Sequence, residues 1–111
     1  MTKNVLIDTS RIFDWDSFHD TFASSIGFPG FYGRNMNAWI DCMTYLDDPN
    51  AGMSSLHVAG GDVIVLCLTD ASGFRRRCPE IYQAIIECSA IVNFRRIEQD
   101  EPAILALSFC P

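Results

Sequence analysis

Between Asn35 and Phe74 the chain carries no basic residue, and its only lysine is Lys3. Eight Lys and Arg stand against fourteen Asp and Glu, for a net charge of −6 in 111 residues. Nucleic-acid binding draws on summed positive charge, so this balance argues against it, even though Arg75-Arg76-Arg77 and Arg95-Arg96 are locally basic. No apolar run approaches the ~20 residues needed to span a bilayer. Met1 to Asp8 is too short and too soon charged to read as a signal peptide. The expectation is a soluble, cytoplasmic protein without a membrane partner. No CxxC occurs among Cys42, Cys67, Cys78, Cys88 and Cys110, and neither His19 nor His57 has a cysteine at ligand spacing. That argues against a structural zinc site and for reduced thiols in a reducing compartment. No Gly-rich phosphate-binding fingerprint links a strand to a helix, and no cofactor is implied.

What is present is a core. Hydrophobic residues make up 49% of the chain and charged residues 20%, the balance of a globular domain. A chain of this length buries roughly 65% of its unfolded surface, so one domain over residues 1–111 is expected. Three apolar runs read as strands: Asn4 to Ile7, Val63 to Leu68 and Ala103 to Leu107. They do not alternate, which suggests strands buried on both faces. Between them lie helical patterns. Asp14 or Asp16 caps one in which Phe18, Phe22 and Ile26 recur, with Gly27 as its stop. Pro79 opens another, with Ile81, Ala84, Ile85, Cys88, Ile91 and Val92 on its buried face. Thr69 to Gly73 reads as a loop, and Asn50 to Asp62 as the least ordered stretch. The pattern predicts an α/β fold: a small three-stranded parallel sheet packed with three to four helices.

The most informative stretch runs from Phe28 to Leu46. A turn rich in glycine and aromatics leads to Asn35, a good N-cap. Met36, Trp39, Ile40, Met43 and Leu46 then share one face of a helix, with Asn37, Asp41, Thr44 and Asp48 opposite and Tyr45 at the edge. Phe31 and Tyr32 stand next to Gly33 in the turn and cannot both point inward easily, so the turn serves either packing or recognition. Asp41, Cys42 and His57 offer a thiol-based arrangement, yet Cys42 lies between the helix faces and His57 in a loop. Asp41 and Glu87 are the carboxylates a general acid–base pair would need, from two different helices.

The residues Phe28-Pro29-Gly30-Phe31-Tyr32-Gly33-Arg34-Asn35-Met36-Asn37-Ala38-Trp39-Ile40-Asp41-Cys42-Met43-Thr44 resemble the signature of the barstar family, the intracellular inhibitors of barnase-type ribonucleases. The resemblance is close from the first strand through the second helix and continues in element order beyond it. It implies a barstar-like sheet-and-helix fold and no enzyme activity. It also implies a protein partner, a cationic ribonuclease or nuclease toxin. Asp41 would take the phosphate position among the nuclease's cationic residues, with Phe31, Tyr32 and Gly33 over the rim. Asn35, Asn37 and Thr44 would add polar contacts, and Glu87 a second carboxylate. Departures from the signature fall on this surface. Asn37 stands where Asp is usual, Ile40 where an outward aromatic is usual, and Tyr45 where Gly or Asp is common. The alternative reading is an interaction or regulatory module of the same fold that binds a non-nuclease protein.

Overall fold

The computed structural model describes residues 1–111. The chain runs through strand β1 (Thr2–Ile7), helix α1 (Trp15–Phe22), helix α2 (Met36–Thr44), strand β2 (Val63–Leu68), helices α3 (Ala71–Arg77) and α4 (Pro79–Glu98), and strand β3 (Leu105–Phe109). The three strands form one parallel sheet in the order β1-β2-β3. Parallel neighbours need crossovers, and α1 with α2, then α3 with α4, supply them. This is the expected α/β architecture, with four helices.

The sheet is not covered as the apolar runs suggested. Register places Val5, Leu66 and Leu107 in one row and Ile7, Leu68 and Phe109 in the next. On that side Val5, Ile7, Leu66 and Leu68 are buried. The opposite rows, Asn4-Val65-Ala106 and Leu6-Cys67-Ser108, are half-exposed or exposed, and Leu6 keeps 65% of its surface. The expectation of strands buried on both faces is therefore corrected. Leu6, Val63 and Val65 suit a half-exposed pleat as well as a buried one, so an unbroken apolar run does not report which face a helix covers.

Local chemistry explains the helix ends. Asp14 accepts from the Ser17 amide at 2.8 Å, while Ser17 Oγ accepts from the Asp14 amide at 3.0 Å, a reciprocal box that starts α1. These bonds hold the Asp14 carboxyl below its ordinary range. The helix widens into a π turn at Ala23–Gly27, where Gly27 takes φ +77°. A Cβ there would lie 2.5 Å from Ser55 Cβ, so glycine is required both by the dihedral and by the neighbour. Ser55 and Leu56 donate to the carbonyls of Gly27 and Ile26, and Val58 to that of Leu46. The stretch that composition marks as least ordered is pinned in this way, with Leu56 and Val58 packed on the core.

Helix α3 replaces the expected loop at Thr69–Gly73, and it puts Arg75-Arg76-Arg77 in its last turn, just ahead of the start of α4 at Pro79. Cations in a last helical turn interact favourably with the helix dipole. Seven residues containing Gly and Ser make a weak helix alone; burial of Phe74 and the Arg77 hydrogen bonds to the carbonyls of Thr9 and Ile12 hold it. Pro79 opens α4 as expected. Asn93 then fixes β3, accepting from the amides of Ile104 and Leu105 and donating to the Leu105 carbonyl. The core gathers Phe18, Phe22, Trp39, Met43, Leu46, Ile64, Leu66 and Phe74. Full burial of such side chains contributes about 1.5–3 kcal/mol each. No helix is long and apolar enough to cross a membrane.

A candidate protein-docking face on helix α2

The turn that leads into α2 is held from behind. Arg34 sits in the left-handed region at φ +54°, a conformation that is costly for a side chain with a Cβ. Its guanidinium offsets that cost by reaching α1, where it donates to Asp20 Oδ1 at 2.8 Å and to the Asp16 carbonyl at 3.0 Å. Tyr32 packs on Phe28 with ring centroids 4.6 Å apart, and its hydroxyl is hydrogen-bonded to Nδ1 of buried His19. Burial, with Arg34 second, holds His19 below its ordinary pKa; burial raises the Tyr32 hydroxyl. The imidazole is therefore neutral and the phenol protonated at neutral pH. The two aromatics of the turn divide the labour: Tyr32 is turned inward, and Phe31 stands 73% exposed. Gly33 is exposed, and a Cβ on it would meet Asn35 Nδ2 at 3.3 Å and Ala38 Cβ at 3.4 Å.

Asn35 caps α2, accepting from the Ala38 amide at 2.8 Å. The helix ends at Thr44, earlier than the apolar spacing suggested, and Leu46 reaches the core from the turn beyond. Trp39 and Met43 are buried; Asn37 is exposed, and Tyr45 partly so. Ile40, like Tyr32, departs from the expected contact surface. It is only 7% exposed and belongs to the core cluster, so its side chain is not on the open face. The apolar stripe of α2 is wide enough to take in both Trp39 and Ile40, which leaves no outward position before Asp41. Thr44 donates its hydroxyl back to the Ile40 carbonyl at 2.6 Å.

Asp41 lies at the centre of the exposed side, but it is not alone. Arg95 Nη1, from α4, donates to Asp41 Oδ1 at 3.0 Å, with the two side chains 45% and 50% exposed. Arg96, only 5% exposed, donates to the Thr44 carbonyl at 2.8 Å and to both carboxylate oxygens of Asp47, at 3.1 and 2.7 Å. It also donates to the Pro102 carbonyl at 2.8 Å. The gap in basic residues from Asn35 to Phe74 thus does not yield a purely anionic face, because α4 folds two arginines back onto it. The sequence marks these arginines only as a locally basic pair. Their adjacency at a helix end was the one visible signal, and their partners depend on how α2 packs on α4.

A cleft of about 560 Å³ opens beside Asp41 at the ends of α2 and α4, lined by Tyr45, Asp47, Asp48, Arg95, Glu98 and Glu101 among others. Glu87 is exposed and accepts from Gln83 Nε2 at 3.1 Å. Eight residues of helix put it about 12 Å along α4 from Arg95, two turns away from the Asp41 pair. The structure therefore brings Asp41, Thr44 and Tyr45 to one end of the face and Phe31, Gly33 and Asn35 to the other. Cys42, next to Asp41, is buried, and burial with the Asp41 charge pushes its thiol up to about 11. A thiol so protonated is a poor nucleophile, and Nδ1 of His57 is buried without a hydrogen-bond partner. No three His, Cys, Asp or Glu side chains are grouped to hold a metal ion.

Comparison with known proteins follows the same residues. The family model described as Barstar (barnase inhibitor) matches residues 2–106, from β1 into β3. The chain belongs to the barstar family. No curated protein matches it.

Proposed function

We propose that this barstar-family protein is a cytoplasmic inhibitor, an immunity protein, that binds a cationic ribonuclease or nuclease toxin and blocks its active site with the exposed face of α2. The observation that carries the reading is the half-exposed Asp41 carboxylate, standing on the helix that the family signature covers, between the Phe31 turn and an acid-lined cleft. A ribonuclease holds its substrate's phosphate with clustered cations. A carboxylate on a helix enters such a pocket with its backbone already in place, and a net charge of −6 steers the encounter. Phe31 serves as the exposed aromatic anchor, since aromatics dominate binding hot spots. Gly33, Asn35, Asn37, Thr44, Tyr45 and Glu87 form the surrounding contact surface, and Tyr32 shapes the turn from within. Inhibition is stoichiometric and involves no chemistry on the partner. The five free cysteines support a reducing compartment.

Capture with the purified protein, followed by a nuclease assay of what is captured, tests this. The reading predicts an RNA-cleaving partner whose activity falls linearly to an end point at one equivalent of inhibitor. A captured partner with no nuclease activity overturns it in favour of a non-nuclease interaction module.

A further inference from the structure

Asp41 already has a cation. Arg95 reaches it from α4 at 3.0 Å, and Arg95 makes no other hydrogen bond or ion pair. Its neighbour Arg96 is immobilised by the Thr44 carbonyl, Asp47 and Pro102, so α4 is fixed against the end of α2 while Arg95 remains half in solvent. One arginine is bolted down and the next is free to swing. Resting on the reading of Asp41 as the nuclease-facing carboxylate, we propose that Arg95 is an autoinhibitory gate on that carboxylate. It occupies Asp41 in the free protein and has to swing off before a partner's cation can take its place.

The physics is competition. A partner's affinity for Asp41 is reduced by the fraction of molecules in which the carboxylate is free. A pair this exposed holds its closed form by roughly 1.4- to 5-fold. A lone lysine on an ordinary protein surface gains no more from Asp41 than Arg95 already does, so exchanging one for the other brings it almost nothing. A phosphate-binding pocket presents several cations in a desolvated site, gains more, and displaces the guanidinium. Arg95 thereby lowers the apparent affinity of every cation that uses Asp41 by the same factor, so that only a partner with affinity to spare still binds tightly. It acts through Asp41 and is a positioning residue, not a contact.

The test uses the whole protein and a barnase-type ribonuclease as the probe. Wild type, Arg95→Ala, Arg95→Lys, Asp41→Ala and the double variant Asp41→Ala/Arg95→Ala are compared by stopped-flow association and by equilibrium binding. Urea unfolding of the same proteins supplies a partner-free cycle. The gate predicts that Arg95→Ala binds about two- to six-fold tighter than wild type, that Arg95→Lys stays near wild type, and that the gain falls below about twofold once Asp41 is Ala. Weaker binding by Arg95→Ala makes Arg95 a contact residue and overturns the gate alone. So does a gain that survives loss of Asp41, or an unfolding cycle with no Asp41–Arg95 coupling. No binding by any of the proteins, with the unfolding cycle intact, retires the nuclease reading of Asp41 and removes the gate with it.

Discussion

Replacing Arg96 by Met tests whether the end of α2, and hence the face beside it, is held by a buried ion pair. The substitution keeps most of the side chain's apolar stem and removes the guanidinium. Four hydrogen bonds disappear, to Thr44, twice to Asp47, and to Pro102. The larger effect is on what stays behind: an Asp47 carboxylate with only 15% of its side chain exposed and no cation. Breaking a buried pair costs about 3–5 kcal/mol. The low end applies because Asp47 keeps some contact with water, so the expected loss is about 3 kcal/mol, a large part of the roughly 5–15 kcal/mol that stabilises such domains. At this chain length that lowers the midpoint of thermal unfolding by about 12 °C. Urea unfolding followed by fluorescence of buried Trp39 reads it directly. The double variant Arg96→Met/Asp47→Leu leaves no stranded charge and is expected within about 1 kcal/mol of wild type. A loss below about 1 kcal/mol for Arg96→Met alone, the worth of an exposed pair, would refute the reasoning.

Two further predictions concern ionisation. His19 is held below its ordinary value of 6.5 by burial and by Arg34, so the unfolded chain takes up the proton first as pH falls. Its contribution is complete above about pH 6.5 and is lost as pH falls below that value, so urea midpoints measured from pH 7.5 to 5 decline, and His19→Gln flattens the decline. Asp8 and Asp14, depressed from 3.8, act at lower pH and leave that window clear. An unchanged slope in the variant contradicts the assignment. Cys42, buried and pushed up to about 11, is expected to alkylate at pH 8 at least ~10-fold more slowly than half-exposed Cys67 and Cys110. Peptide mapping after timed iodoacetamide labelling checks this, and fast labelling of Cys42 would reopen a nucleophilic role.

The parts of the fold legible in the sequence are those fixed by local chemistry. Asn35 and Asp14 cap their helices because a side-chain oxygen two or three residues from a free amide needs no tertiary partner. Gly27 and Pro79 act through their own dihedrals. The three strands appear as apolar runs, though β1 begins two residues earlier and β3 two residues later than the runs suggest. What packing decides was not legible. The run Val63 to Leu68 looks the same whether one face or two are covered, and here it is one. Helix α3 exists because Phe74 and Arg77 find partners far along the chain. Ile40 shows the reverse, because its helical spacing with Met36 and Met43 put it on the apolar face, where it is buried, and only the family resemblance set it among the partner contacts. Asp41 was singled out by its motif. That Arg95 sits on it follows only from the contact of α2 with α4, 54 residues apart in sequence.

Whether Asp41 occupies a nuclease's cationic pocket is read from the inhibition constant of Asp41→Ala against the captured ribonuclease. Truncating one member of a desolvated charge pair costs about 2–5 kcal/mol, so inhibition is expected to weaken by roughly 30-fold or more. Circular dichroism and the urea midpoint should stay close to wild type, since the exposed pair with Arg95 is worth at most about 1 kcal/mol to the fold. Inhibition by Asp41→Ala equal to that of the wild-type protein would contradict the account.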